Sequence, residues 1–435
     1  MKSDKRKLFQ QSIKRLASLQ LAIQLLFVIS ILIAIGTFIE QDQSLSFYKE
    51  NYPETSPIFG FVSWKFITLL QLNQIYTSYW FIAILALFSA TLLSCTFTTQ
   101  LPSLKKFRLW YFIKDNRKLK SFVSHETFSL KSTNKIVYQL NKNSYHTFRQ
   151  GKKNYAYSGL LGRFAPIIVH FSIILLLLGS TIGALNGYTA QEIIPRGDIF
   201  HIQNLTKSGN FSYVGQNFSW RINDFWITYT KESQTNQFYS DLSLLDKNGN
   251  ELKRKIIFVN EPFVFKGLTM YQTDWNIIGL KVKLEDSQKI IQIPLKKISK
   301  NGRNFWFGSI PSNSDGTDKL SLVVNDLKGK VFLYDKKGNF IQEVELGNKF
   351  LLNSKFNVQL YDFITSTGLQ IKIDPGLSTV YFSFFLLMVS TYVSFISYSQ
   401  VWGVEKSKQV VLAGMSNRAV LFFQEEFKKI KLKVL

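Results

Sequence analysis

Four long apolar segments constrain the fold of this chain more than any other feature of its sequence. They cover residues 19–39, 80–97, 165–185 and 377–398, each 18 to 22 residues long with almost no charge. A helix rises 1.5 Å per residue, so about 20 apolar residues cross the roughly 30 Å of hydrocarbon in a bilayer. The sequence therefore predicts a polytopic α-helical membrane protein with four transmembrane helices.

The net charge of +24 is unevenly distributed between these segments. Lys and Arg outnumber Asp and Glu by six to one in residues 1–18, by fourteen to two in 98–164 and by seven to three in 399–435. Residues 40–79 have an acidic excess, and 186–376 are nearly balanced. The positive-inside bias then predicts that the three basic segments lie on the cytoplasmic or stromal side, with 40–79 and 186–376 on the lumenal or periplasmic side. Because topology accounts for the basic excess, no nucleic-acid partner is expected.

The segment 186–376 has the pattern of a large all-β domain. "FSWRINDFWITYT" is rich in aromatic and β-branched residues, and both "KVFLYDKKGNFIQEVEL" and "SLLDKNGNELKRKIIFV" predict hairpins around a Gly-Asn turn. We expect a sandwich of short strands. Strand-like runs such as "SFVSHETFSL" indicate a small subdomain within the basic loop 98–164.

Two further segments have amphipathic spacing. Residues 61–76 predict a helix lying at the outer face before the second span. The tail "NRAVLFFQEEFKKIKLKV" predicts a similar helix on the inner face.

The N-terminal region predicts a protein made in the compartment that uses it. Only about 18 residues precede the first span, too few for a transit peptide, and no small-x-small cleavage site follows it. The richness in Phe, Lys, Asn and Ile is typical of an AT-rich plastid genome. A plastid thylakoid membrane is therefore the expected location, with a bacterial or cyanobacterial membrane as the alternative.

Common catalytic motifs are absent from the sequence. There is no phosphate-cradling glycine-rich loop, no paired-histidine metal motif and no GxSxG nucleophile elbow. The single cysteine, Cys95, cannot form an intrachain disulfide and is interpreted as a packing residue. His125, His146 and His201 are interpreted as surface histidines.

One ionisable side chain, His170, lies within the third apolar segment, "FAPIIVHFSIILLLLGS". Ionisable groups inside a bilayer usually face a cavity, a pathway or a ligand. Three roles are open: a neutral ring bonded to a neighbouring helix, an axial ligand of haem iron, or a step in a proton relay. The relay is disfavoured because the other spans contain no Asp, Glu or His; the nearest acid, Glu40, lies at the outer end of the first span. With Arg163 at the inner interface and Pro166 in the first helical turn, His170 is expected roughly 6–10 Å into the inner leaflet.

An ordered set of motifs resembles the ResB/CcsB family of cytochrome c biogenesis proteins over nearly the whole chain. The membrane segments contribute "IGTFIEQ", "YTSYWFIAILALFSATLLSC" and "IVHFSIILLLLG", and the large domain contributes "INDFWITY", "YSDLSLLDKNGNE", "VNEPFVFKGLTMYQTDW" and "LQIKIDPGL". The membrane histidine of the family falls on His170.

This resemblance implies a subunit that works with a CcsA-type haem-handling partner. Together they would move haem b across the membrane and present it to apocytochrome c for covalent attachment. The chain would be a non-catalytic subunit of a haem–cytochrome c synthase complex, with His170 as an axial ligand of haem iron and no other metal site. Nine further motif residues have no assigned role: Gly36, Asp224, Tyr229, Asn260, Tyr271, Gln272, Asp374, Pro375 and Gly376.

Two other functions compete with this one. The chain could be a membrane-anchored scaffold or chaperone that recruits apocytochrome c without binding haem, with His170 as a packing residue. A transporter or channel acting alone is disfavoured because only His170 is ionisable within the spans and no inverted repeat is visible.

Overall fold

The computed structural model describes residues 11–107, 109–113, 116–122, 124–129, 133–215, 218–232, 234–284, 289–300, 303–311, 319–352, 356–406 and 409–434. The chain divides into two compact units. The helical unit comprises Met1–Ala184 and Gly376–Leu435, and the strand-rich unit comprises Leu185–Pro375.

Ten α-helices lie entirely within the described residues. They are α1 (Leu19–Phe38), α2 (Leu45–Asn51), α3 (Trp64–Leu69), α4 (Tyr79–Cys95), α5 (Leu101–Phe107), α6 (Asn116–Lys120), α7 (Asn134–Lys142), α8 (Leu161–Asn186), α9 (Leu377–Ser394) and α10 (Val420–Val434). Four helical stretches are long and apolar enough to cross a membrane: Leu19–Phe38, Tyr79–Lys105, Leu161–Asn186 and Leu377–Ser394. A helix therefore forms at each of the four predicted segments.

The second of these stretches is not a uniform α-helix. After Cys95 it continues through a π-helical turn, Thr96–Gln100, into α5, with the Leu101 N–H bonded to the Thr96 carbonyl five residues back. Pro102 explains the wider turn: it has no N–H, and in a regular α-helix its ring would clash with the carbonyl of Thr98.

The predicted helix over residues 61–76 is broken into two pieces. Helix α3 ends at Leu69, Gln71 has a left-handed backbone (φ 54°), and a 3₁₀ turn spans Leu72–Thr77. The side chain of Gln41 donates to the Leu72 carbonyl (3.0 Å) and accepts from the Ile75 N–H (3.1 Å). The Gln41 side chain thus bonds to backbone groups that would bond to one another in a continuous helix. Ile67 and Ile75 are fully buried in this region.

Residues of the basic loop and of the C-terminal tail form one antiparallel sheet. The loop provides β1 (Ser124–Phe128), β2 (His146–Gln150) and β3 (Lys153–Ser158), and the tail provides β20 (Ser399–Lys406) and β21 (Gln409–Ser416). Their order is β1-β21-β20-β3-β2. The subdomain expected within residues 98–164 therefore includes the tail, because β1 and β3 pair with tail strands rather than with each other.

The C-terminal helix α10 packs on this sheet. Its residues Phe423, Phe427 and Ile430 are buried in a core that includes Val410 and Leu412 of β21. A tail helix was correctly predicted, but the sheet, rather than the membrane surface, covers this apolar face.

The strand-rich unit contains three antiparallel sheets. Its strands are β4 (Tyr188–Pro195), β5 (Ile199–Phe200), β6 (Leu205–Ser208), β7 (Ser219–Tyr229), β8 (Thr235–Leu245), β9 (Glu251–Phe258), β10 (Phe263–Phe265), β11 (Leu268–Leu284), β12 (Ile290–Pro294), β13 (Lys296–Lys300), β14 (Arg303–Pro311), β15 (Lys319–Val324), β16 (Lys330–Tyr334), β17 (Phe340–Glu345), β18 (Lys349–Leu352) and β19 (Phe356–Ile373). The sheets run β10-β11-β19-β4-β6 with β12 and β18 attached, β13-β14-β15-β16-β17, and β5-β7-β8-β9.

A sandwich was expected, but two of its strands are not short. Strands β11 and β19 have 17 and 18 residues and pair along almost their whole length. The apolar residues of this pair contribute to two cores, one with β14–β17 and one with β7–β9. Both predicted hairpins form, β8–β9 around Asp246–Asn250 and β16–β17 around Asp335–Asn339.

Candidate functional site

His170 lies in helix α8, nine residues after its first residue Leu161. Its ring is half-buried against the end of the second membrane stretch. The imidazole Nδ1 lies 2.9 Å from the hydroxyl Oγ1 of Thr96, the first residue of the π-helical turn. His170 therefore faces the end of that helix from which the basic loop begins.

The wall around this contact is apolar. Ile29 of α1 and Phe88 and Leu92 of α4 form a buried cluster, against which Ile173 and Leu177 of α8 pack. Three of the long apolar helices thus pack together through these side chains. Near the ring, the hydroxyl of Thr96 is the polar group that bonds to it.

This arrangement leaves one ring nitrogen for a ligand. The bond to Thr96 occupies Nδ1, so Nε2 can present a lone pair as a neutral imidazole, the form that binds metals. Metal-binding histidines commonly use their second nitrogen in such an outer bond. The residues present therefore fit axial ligation of haem iron. They also fit the packing interpretation, since the ring is bonded to a neighbouring helix.

The remaining histidines have ordinary surface environments. His125, His146 and His201 are all exposed. The Nδ1 of His125 lies 3.0 Å from the carbonyl of Phe122. Within the described ranges, no three His, Cys, Asp or Glu residues come together in a way that could hold a metal ion. Cys95 is half-buried and adjoins Thr96.

Two of the family-motif glycines permit close packing in the helical unit. A Cβ at Gly36 would lie 2.9 Å from the hydroxyl of Tyr76. A Cβ at Gly376 would lie 2.8 Å from the backbone N of Gly183 and closer still to the Gly179 carbonyl. Gly376 therefore allows the start of α9 to approach the backbone of α8.

Three motif residues of the strand-rich unit lie at a bulge, a strand end and a turn. Asp224 lies at a bulge in β7 and pairs with Arg196 Nε at 3.2 Å. The Tyr229 hydroxyl accepts from the Leu327 N–H at 3.1 Å, and burial raises the pKa of this phenol. Asn260 has φ 71° in the tight turn after β9, a conformation that Asn tolerates better than most residues.

The motif residues Tyr271 and Gln272 are neighbours on β11 with opposite environments. Tyr271 is 38% exposed, whereas Gln272 is buried in a polar cluster. The Gln272 Oε1 accepts from the hydroxyls of Ser240 and Thr367, and its Nε2 donates to the Asp274 carbonyl at 2.8 Å. Such a cluster fixes the pairing of strands, which is a structural role.

Asp374 and Pro375 follow β19 and end the strand-rich unit. Seven of the nine motif residues thus belong to that unit, and only Gly36 and Gly376 share the helical unit with His170. The sequence did not single out Thr96, which lies 74 residues from His170. It also did not single out Gln41, although the quoted motif "IGTFIEQ" ends on it.

Comparison with known proteins identifies the family. A profile described as ResB-like family matches residues 19–304 and 323–428. The chain belongs to the ResB-like family. The ResB-like chain is 57% identical over 423 residues to the cytochrome c biogenesis protein Ccs1 of Emiliania huxleyi, covering 97% of this chain and 96% of that protein.

Two further relatives have the same name at lower identity. The cytochrome c biogenesis protein Ccs1 of Pyropia yezoensis is 44% identical over 415 residues, which are 95% of this chain and 93% of the relative. That of Trieres chinensis is 43% identical over 422 residues, which are 97% and 99% of the two chains. The ResB-like chain thus matches these relatives along nearly their full lengths.

Proposed function

We propose that this ResB-like chain takes part in cytochrome c biogenesis by holding haem b, its cargo, at His170 of the membrane unit. A CcsA-type membrane partner would then receive the haem and present it to apocytochrome c. The observation that carries the proposal is the hydrogen bond between Nδ1 of His170 and the hydroxyl of Thr96, since it leaves Nε2 for iron. The names of the Ccs1 relatives support the biological process.

Strand pairing in the helical unit supports the proposed topology. Strand β3 of the basic loop pairs with β20 of the tail, and β1 pairs with β21. A hydrogen-bonded sheet does not extend across a bilayer, which supports a topology with both segments on one side of it. Their positive charge favours the stromal side, and we therefore propose that Leu185–Pro375 lies in the lumen. The algal relatives and the AT-rich composition support a plastid thylakoid membrane.

In this topology His170 is a receiving ligand near the stromal end of α8. The ring would hold the iron through Nε2, and Thr96 would orient the ring. The haem itself supplies the groups that become bonded to cytochrome c, so this chain needs no catalytic residue for the attachment.

A scaffold that recruits apocytochrome c without binding haem is the second candidate. It is favoured by the location of seven motif residues in the strand-rich unit, whereas His170 belongs to the helical unit. In that case His170 would contribute only its hydrogen bond to helix packing.

Replacement of His170 distinguishes haem ligation from the scaffold role. The full chain would be purified with its CcsA-type partner as wild type and as His170→Gly, with His201→Gly as a matched surface control. Haem ligation predicts that His170→Gly loses the haem absorbance and that added imidazole restores it, while His201→Gly keeps it. An unchanged haem content and spectrum in His170→Gly would favour the scaffold.

A further inference from the structure

We propose that Thr96 is a positioning residue for His170, which fixes the imidazole with its proton on Nδ1 and its lone pair on Nε2. This inference rests on the proposed haem ligation by His170 and assigns a role to a second residue of that site. It is carried by the two hydrogen bonds of the Thr96 hydroxyl, one to the Leu92 carbonyl and one to the ring.

Counting protons gives the direction of the bond. The hydroxyl of Thr96 has one proton, and its Oγ1 lies 2.8 Å from the Leu92 carbonyl, which can only accept. When the hydroxyl donates to that carbonyl, its oxygen accepts from the ring at 2.9 Å, so Nδ1 carries the proton.

The fixed tautomer is the one that suits metal binding. With the proton on Nδ1, the lone pair of the neutral ring is on Nε2 and points away from the Thr96 contact. An outer hydrogen bond of this kind orients the ring and increases the basicity of the coordinating nitrogen. Without it, the ring could rotate or adopt the other tautomer, in which Nε2 holds a proton and cannot bind iron.

Thr96 lies where helix α4 passes into the π-helical turn, and its own N–H bonds to the Leu92 carbonyl four residues earlier. Thr96 begins this turn, and Leu101 closes it with a bond five residues long. Extra residues in a helical turn change the direction of the following side chains, and such turns are frequent at functional sites. Pro102 maintains the wider turn because a regular α-helical bond at that position is impossible.

Thr98 is a matched control within the same turn. Its Oγ1 donates to the Ser94 carbonyl at 2.7 Å, just as Thr96 donates to Leu92. It is exposed and lies 3.5 Å from the hydroxyl of Thr99 rather than beside the histidine. Replacing Thr98 therefore removes an equivalent helix bond without touching the ring.

The test measures haem b binding to the full chain purified with its CcsA-type partner. The variants are Thr96→Val, Thr96→Ser and Thr98→Val, each titrated with haem b and followed by absorbance and by the reduction potential of the bound haem. We expect Thr96→Val to weaken haem binding about 10- to 100-fold, the usual effect of removing an outer partner of a metal ligand. It should also raise the reduction potential, because a less basic imidazole stabilises ferric iron less. Thr96→Ser and Thr98→Val should resemble the wild type.

A double variant separates positioning from helix packing. In a His170→Gly background there is no ring to orient, so adding Thr96→Val should not reduce the residual haem binding further. If it does, or if Thr98→Val has the same effect as Thr96→Val, the positioning role is wrong. If Thr96→Val has wild-type affinity and potential while His170→Gly loses haem, positioning fails and haem ligation stands. If His170→Gly itself binds haem normally, both proposals fail.

Discussion

The buried polar cluster around Gln272 gives a quantitative prediction for the strand-rich unit. In Gln272→Leu the carbonyl of Asp274 loses its donor, and the hydroxyls of Ser240 and Thr367 lose their shared acceptor. These two hydroxyls remain 2.8 Å apart, so they still satisfy each other in part. A hydrogen bond contributes about 1 kcal/mol net, and a buried unpaired group costs about 1–3 kcal/mol. We expect Gln272→Leu to destabilise the unit by about 3 kcal/mol.

Compensating substitutions test the reasoning behind this magnitude. Adding Ser240→Ala and Thr367→Val to Gln272→Leu removes the stranded hydroxyls and leaves only the Asp274 carbonyl unpaired. Replacing both sides of a buried polar contact by apolar groups can be nearly neutral, so the triple variant should lose only about 1 kcal/mol.

Hydrogen exchange can measure this change in the intact, detergent-solubilised chain. Amides of β11 should exchange on the order of 100-fold faster in Gln272→Leu, which corresponds to about 3 kcal/mol in local opening free energy. The triple variant should exchange only a few-fold faster than the wild type. Protection of Gln272→Leu within threefold of the wild type, or a triple variant less protected than the single one, would refute the account.

Two further predictions concern packing and pH. Gly376 has an αR backbone that alanine can adopt, but Gly376→Ala places a Cβ 2.8 Å from the backbone N of Gly183. The free energy of unfolding of the chain in detergent should therefore fall by about 1–3 kcal/mol. In the control Gly215→Ala the nearest atom lies at 4.0 Å, and this free energy should not change. Hydrogen bonds from Arg254 hold the pKa of Asp241 below its usual value, so the folded state takes up this proton less readily than the unfolded chain. The resulting stability is present above about pH 4 and lost on further acidification, a dependence that Asp241→Asn should reduce in unfolding followed between pH 7 and pH 3.

Features that depend on local pattern could be predicted closely. Each of the four predicted spans is helical, and both Asp-Lys-x-Gly-Asn turns connect hairpins. Helix bonds and tight turns join residues a few positions apart, so composition and spacing are sufficient to indicate them. The exact course of residues 61–76 was missed because it depends on Gln41, whose side chain bonds to Leu72 and Ile75, 31 and 34 residues later.

The site around His170 was likewise predictable only in part from the sequence. Its residue type within an apolar helix identified His170 as a candidate, since an ionisable ring in a bilayer needs a partner or a ligand. Nothing in the sequence marked Thr96, one of several threonines beside Pro102, as the partner. That assignment required the packing of α8 against the π-helical turn.

The sequence by itself determined how many helices can span a membrane, where the charge lies between them, and which segment is rich in strands. These properties follow from hydrocarbon thickness and from side-chain alternation along a continuous stretch of chain. Only the tertiary structure decided that the basic loop and the C-terminal tail share one sheet and that β11 and β19 join two cores. Strand partners and side-chain contacts are chosen between residues far apart in sequence, where many pairings have similar local patterns and only mutual burial distinguishes them.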